Sequence, residues 1–149
     1  MDQMRADGFV GEDTLTLESI GAGLLAMTGE IACLGGIVMR VEKYLDVLEG
    51  ESLDAYVRTF EYKYNAFVRR NNNILRYDNS HTYPGHADAH HKHLYDWKTG
   101  DHIPGFPVWV GEEGWPTLGE VMEELRIWYW ENREELPNPD DYPELEQRG

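Results

Sequence analysis

Residues 56–70 alternate between apolar and polar side chains, and this pattern constrains the fold more than any other feature of the sequence. The apolar positions include Phe60, Tyr62, Tyr64, Ala66 and Val68. A period of two is typical of a strand with one buried face, because successive side chains of a strand point to opposite sides. Residues 71–73 are all Asn and predict a turn, after which residues 74–77 form the returning strand of a hairpin.

The neighbouring elements are predicted from shorter patterns. Apolar residues in 41–48 stand at helical spacing before Gly50, which favours a short helix, although the stretch also suits a strand. Residues 91–97 predict a third strand. Residues 103–110 contain two prolines and therefore form an edge strand at most.

A C-terminal helix completes the predicted fold. Thr117 and Glu120 form a capping box, in which the two side chains satisfy backbone amides of the first turn. The apolar face of this helix contains Leu118, Val121, Met122, Leu125, Trp128 and Tyr129. The sequence predicts a small α+β fold, an antiparallel β-meander with the C-terminal amphipathic helix packed on one face.

The length of 149 residues suits one domain. Residues 1–38 hold seven glycines and one aromatic residue, so we expect a poorly ordered N-terminal extension, with Met39 as an alternative start of translation. Residues 39–134 are expected to form the α+β domain. Residues 135–149, with three prolines and many acids, are expected to be a mobile acidic tail.

The apolar stretches near the N-terminus are too short for a membrane helix, which needs about 20 apolar residues. The acidic start also lacks the basic region of a signal peptide. We therefore predict a cytoplasmic protein that does not contact a membrane.

Acidic residues dominate the composition. The 28 Asp and Glu outnumber the 13 Lys and Arg, for a formal net charge of −15. This charge excludes a generally basic nucleic-acid coat and a polybasic membrane binder. Only four of the 13 cations are Lys. An acidic surface poor in Lys is typical of halophilic proteins, and we interpret it so.

The cations and histidines are concentrated between residues 58 and 102. This stretch has a net charge of +2 and holds all six histidines of the chain. The cations either pair within the fold or form a site for an anion such as phosphate, and we favour the site.

A candidate site follows from the strand ends around residues 76–81 and 91–93. Strand alternation places His91 and His93 on one face, with Arg76 of the preceding strand close to them. The candidate catalytic residues are His91, His93, Arg76, Tyr77 and Asp78. The candidate substrate-binding residues are Asn79, Lys92 and His81.

This set of side chains suits cleavage of an RNA phosphodiester without a metal. One neutral histidine or a carboxylate removes the 2′-hydroxyl proton, and a second, protonated group supplies the leaving 5′-oxygen. Arg or Lys stabilises the charge on the phosphate. Each residue also has a structural alternative: Asn79 in a turn, Tyr77 in the core, Arg76 in an ion pair, and His81 or His102 solvated in loops.

The competing hypothesis is a metal site. His86, Asp88, His91 and His93 offer three or four ligands for zinc or another transition metal. Their spacing matches no strict signature, and the single cysteine, Cys33, excludes a Cys-rich zinc module. We therefore predict no metal and no other cofactor.

The sequence resembles the TumE family of toxin–antitoxin proteins. The resemblance is carried by the run Leu75-Arg76-Tyr77-Asp78-Asn79, by the H-x-H element at residues 91–93, and by the C-terminal helix. It spans residues 40–131, and the loop over residues 80–90 is longer than is usual in the family. The resemblance implies a shared site made of Arg76, Tyr77, Asp78, Asn79, His91 and His93.

The resemblance also implies a function. We expect the toxin of a type II pair, with a ribonuclease-like role on RNA and a cognate helix-turn-helix antitoxin as partner; a homodimer is a further option. The alternative hypothesis is a non-catalytic protein-interaction module, in which the histidines are incidental or hold a structural metal.

Overall fold

The computed structural model describes residues 7–48, 56–79, 90–110 and 116–145. Within these ranges the strands are β1 (Val10–Asp13), β2 (Thr16–Gly21), β3 (Leu24–Cys33), β4 (Ile37–Leu48), β5 (Tyr56–Val68), β6 (Asn73–Asp78), β7 (His91–Leu94) and β8 (Val108–Trp109). The helix α1 spans Leu118–Asn132, and a short 3-10 helix at Arg133–Glu135 follows it.

The strands form one antiparallel sheet in the order β1-β3-β4-β5-β6-β7-β8, and β2 also pairs with β3. Strands β3 to β8 are sequential neighbours, so most of the sheet is a meander. Helix α1 packs on one face, and its buried residues Val121, Met122, Leu125 and Tyr129 belong to the same core as the strands. The structure thus confirms the predicted α+β meander with a C-terminal helix.

Several local predictions are confirmed. Strands β5 and β6 form the expected hairpin. The capping box is present, since Glu120 N–H donates to Thr117 Oγ1 and Thr117 N–H donates to Glu120 Oε1. Strand β8 lies at the sheet edge, as expected. The third predicted strand is shorter than residues 91–97, because β7 ends at Leu94 and only Tyr95 continues, as a single bridge to His102.

Residues 10–38 are part of the sheet, which corrects the expectation that residues 1–38 form a poorly ordered extension. The side chains of Ile31 and Cys33 are fully buried in the core. Gly35 and Gly36, with φ of +85° and +69°, form the tight turn between β3 and β4. These two glycines therefore serve a turn within the sheet rather than disorder.

Residues 41–48 form part of β4, which corrects the expectation of a short helix there. Strand β4 pairs with β3 on one side and with β5 on the other. Val41 and Leu45 are buried at positions that also suit helical spacing, so pairing with two long neighbours decides between the two conformations.

The C-terminal segment packs on the sheet up to residue 145, which corrects the expectation of a mobile tail over residues 135–149. Leu136 is buried in the core. Gly36 N–H donates to the carbonyl of Asp141, Tyr142 Oη donates to the carbonyl of Gly8, and the guanidinium of Arg69 donates to the carbonyl of Glu144. Among the described residues, no helix is long and apolar enough to cross a membrane.

Candidate functional site

The face of the sheet opposite α1, which we call the polar face, carries two rows of polar residues that cross the strands. From β3 to β7 the first row contains Glu30, Arg40, Asn65, Arg76 and His93. The second row contains Thr28, Glu42, Lys63, Asp78 and His91. Directly paired residues of antiparallel strands point to the same side, so each row brings its members together.

At the β6–β7 end of these rows, Asp78 and His91 form a buried pair. Their exposed fractions are 1% and 0%, and His91 Nε2 lies 2.9 Å from Asp78 Oδ1. A carboxylate facing an imidazole at this distance fixes the orientation of the ring. His91 is therefore held in place, and it is too deeply buried to contact a substrate directly.

Arg76 links this pair to the second histidine of β7. Its Nε lies 3.0 Å from Asp78 Oδ2, and its Nη2 lies 3.1 Å from His93 Nε2. The guanidinium is 29% exposed, so one side of it faces solvent while the other is held by the buried groups. This arrangement presents a fixed cation on the polar face.

The protonation state of His93 follows from its neighbours. Burial, and then the charge of Arg76, lower the pKa of His93 from 6.5 to about 4, so the imidazole is neutral at pH 7. Arg has only donors, so His93 Nε2 accepts from Arg76 and the ring proton resides on Nδ1. His93 Nδ1–H then donates to His102 Nε2 at 2.9 Å.

His102 is the exposed end of this chain of contacts. Its ring lies 4.6 Å from that of Tyr95 and 5.2 Å from that of His93, and the residue is exposed to solvent. From its sequence context, His102 is expected to be a solvated loop residue. The turn at residues 98–101 was the signal that could have placed it, because a turn returns the chain to pair with Tyr95. We call Arg76, Asp78, His91, His93 and His102 the Arg–His network.

Tyr77 and Lys92 lie on the opposite face, and the structure does not bring them together with the histidines. Tyr77 Oη donates to Glu124 Oε1 of α1 at 2.6 Å, and Lys92 Nζ lies 2.7 Å from Glu124 Oε2. Burial, and then the bond to Glu124, raise the pKa of Tyr77, so the phenol stays protonated. These residues fasten α1 to the sheet.

The remaining predicted site residues are structural or undescribed. The side-chain oxygen of Asn79 accepts the backbone N–H of Tyr62 at 2.9 Å, which ties the end of β6 to β5. His90 Nδ1 lies 3.0 Å from Tyr62 Oη on the helix side. His81, together with His86 and Asp88 of the metal hypothesis, lies outside the described residues.

Asp78, His91 and His93 also offer three ligand atoms that lie within 4.8 Å of one another. Carboxylate and imidazole suit a transition metal. In this arrangement the Arg76 guanidinium contacts two of the three groups. A cation at the same place would have to displace that charge.

The chain matches the family model described as Toxin TumE over residues 11–109, which is more than half of its length. No curated protein and no solved structure matches it. The match begins at residue 11, well before the span of the sequence resemblance, and it includes β2 and β3 as well as the Arg76–Asp78 and His91–His93 elements. The chain therefore belongs to the TumE toxin family.

Proposed function

We propose that this TumE toxin is the toxic component of a type II toxin–antitoxin system and acts in the cytoplasm as a metal-independent endoribonuclease. The observation that carries the proposal is the Arg–His network, in which buried groups hold one guanidinium and one exposed imidazole on the polar face. A cation and an imidazole at adjacent positions are the groups that RNA cleavage by the 2′-hydroxyl requires.

Under this proposal the members of the network have different tasks. When RNA binds, the 2′-hydroxyl replaces His93 Nδ1–H as the hydrogen-bond donor to His102 Nε2. His102 Nε2 then accepts the proton of the 2′-hydroxyl. The 2′-oxygen attacks phosphorus and the bond to the 5′-oxygen breaks, which yields a 2′,3′-cyclic phosphate and a 5′-hydroxyl. The leaving oxygen takes a proton from solvent. Arg76 stabilises the charge on the phosphate.

The buried members of the network act by positioning His102 and Arg76. Before RNA binds, His93, neutral at pH 7, orients His102 through its Nδ1–H, while Asp78 and His91 hold Arg76 in place. This assignment differs from the use of His91 and His93 as acid and base, because His91 is inaccessible and His93 does not carry the proton that an acid would donate.

Induction of the chain in a host cell tests the proposal. We expect growth arrest with RNA decay for the wild type and for Lys98→Gln, whose side chain pairs with Glu135 away from the polar face. Arg76→Gln and His102→Ala should relieve both effects. RNA cleavage by the purified chain should persist in a chelator, and equal toxicity of all four proteins would contradict the proposal.

A toxin of this family has an antitoxin partner. We propose that the partner is a small helix-turn-helix protein, and that a homodimer is the further assembly of the free toxin. Co-expression with the product of the adjacent reading frame should abolish toxicity and give a complex that copurifies. Continued growth arrest with a stable helix-turn-helix protein present would exclude that partner.

The second candidate function, a non-catalytic interaction module with a structural metal, is favoured by the spacing of Asp78, His91 and His93. Elemental analysis of the purified chain separates the two candidates. Stoichiometric zinc, stabilisation by that zinc and no RNA cleavage would establish the second candidate.

A further inference from the structure

A cavity of about 220 Å³ lies on the polar face directly beside the Arg–His network. It is lined by Arg40, Glu42, Lys63, Asn65 and Arg76. Arg76 lines the cavity and is also a member of the Arg–His network, so the two are adjacent. These residues occupy the two polar rows on β4, β5 and β6.

The cavity is lined mainly by cations, although the chain as a whole carries a formal charge of −15. Three of its five lining residues are cations and one is an anion. Arg40 also pairs with the buried Glu30, at 2.9 Å, and Arg76 pairs with the buried Asp78, at 3.0 Å. Lys63, between Glu42 and Asp78 in its row, forms no ion pair with any residue in the described part of the chain, and it is the cation we assign to a ligand.

Asn65 supplies the second observation that points to a ligand. Its side-chain oxygen is buried, and within the described residues it accepts no hydrogen bond. A buried acceptor without a donor is unfavourable by about 1–3 kcal/mol, and folded proteins retain few of them. A ligand that donates an N–H or O–H at this point would remove the penalty.

A larger cavity, of about 550 Å³, has as many anions (Asp141 and Glu144) as cations (Arg69 and Arg70) in its lining. It lies between the β3–β4 turn and the C-terminal segment. Its Arg69 is already bound to Glu30 and to the carbonyl of Glu144. The cavity beside the Arg–His network is therefore the better binding site for an anion.

We propose that this cavity is a second RNA subsite, which binds the nucleotide next to the cleaved phosphodiester; the inference rests on the proposed function. Lys63 and Arg40 bind the neighbouring phosphate, and Asn65 Oδ1 accepts a hydrogen bond from an N–H of the base. Strands lie about 4.8 Å apart, so the path from β7 to β4 is about 14 Å long. A single strand of RNA thus crosses the sheet from the Arg–His network to Arg40.

Binding of a short single-stranded RNA with every 2′-hydroxyl methylated tests the subsite without cleavage. We expect Lys63→Gln to weaken binding by about tenfold and to reduce the slope of log affinity against log salt by about 1. Asn65→Ala should weaken binding by a smaller factor and leave the salt slope unchanged. Lys98→Gln is the matched control, and it should bind as the wild type does.

Cleavage assays of the same variants separate the two proposals. For Lys63→Gln we expect a raised KM with an unchanged kcat. Wild-type affinity and KM in both Lys63→Gln and Asn65→Ala, while the wild type cleaves RNA, would overturn the subsite and leave the proposed function standing. Weaker binding by Lys63→Gln with no cleavage by the wild type would overturn the ribonuclease, and with it the position of the subsite beside a cleaved phosphodiester, and would leave only an RNA-binding cavity.

Discussion

The two faces of the sheet are built from the same strands yet do different work. On the helix face, Tyr64 and Tyr77 pack in the core beneath α1. On the polar face, Arg76 and Asp78 flank Tyr77 in sequence but join the histidines of β7. The alternation of side chains thus separates the helix face, which stabilises the fold, from the polar face, which carries the Arg–His network.

The largest expected effect is a loss of stability from the helix face. Leu125 is fully buried in the core, and Leu125→Ala should lower the free energy of unfolding by about 4 kcal/mol through lost burial and a cavity. Ile127, on the same helix but 48% exposed, supplies the matched control, and Ile127→Ala should change stability by less than about 1 kcal/mol. Urea unfolding measures both, and equal effects would contradict the assigned packing.

The next effect comes from the polar face. Asp78→Ala removes the carboxylate that lies 3.0 Å from Arg76 and 2.9 Å from His91, and it should lower the free energy of unfolding by roughly 3 kcal/mol, because the charge of Arg76 loses its buried partner. RNA cleavage should fall as well, even at temperatures where the variant is folded. A stable variant with full activity would show that the pair does not organise the site.

The pH dependence of stability sharpens the comparison. The pKa of His93 is lowered from 6.5 to about 4 in the folded chain, so the unfolded chain binds the extra proton between these values. The contribution of His93 to stability is therefore complete above pH 6.5 and is lost as the pH falls toward 4. Urea unfolding of His93→Gln should show a weaker dependence over this window. If the pH dependence of unfolding is the same in His93→Gln as in the wild type, a group other than His93 titrates in this window.

A smaller effect on stability is expected where side chains of the helix face bind α1. Tyr77→Phe removes the hydrogen bond to Glu124 and should cost about 1 kcal/mol, because Lys92 still pairs with that carboxylate. RNA cleavage should not change, since the phenol lies on the helix face. A large loss of cleavage in a well-folded Tyr77→Phe would show that Tyr77 takes part in cleavage.

The predictable parts of this fold are those set by local sequence. The β5–β6 hairpin follows from alternation and an Asn turn, and the start of α1 follows from Thr117 and Glu120. The early strands could not be predicted in the same way, because glycine weakens the local pattern and the strands are fixed by long-range pairing. Residues 41–48 fit both a helix and a strand until β3 and β5 are placed beside them.

The part of the site that lies on β6 and β7 could be predicted from local sequence, and the part that depends on a turn could not. Alternation correctly placed His91 and His93 on one face near Arg76. The same rule, applied to β6, separates Tyr77 from Arg76 and Asp78, so its placement was available from the sequence. The placement of His102 could not be predicted in this way, because the residue reaches His93 only through the turn at residues 98–101 and a single bridge.

Cleavage of RNA by purified His102→Ala, beside Tyr77→Phe and the wild type, tests most directly whether chemistry resides on the polar face. His102 is exposed, so its removal should change the free energy of unfolding by less than about 0.5 kcal/mol. We predict that His102→Ala loses cleavage while Tyr77→Phe retains it, with cyclic phosphate ends on the wild-type products. Full cleavage by a folded His102→Ala would contradict the assignment.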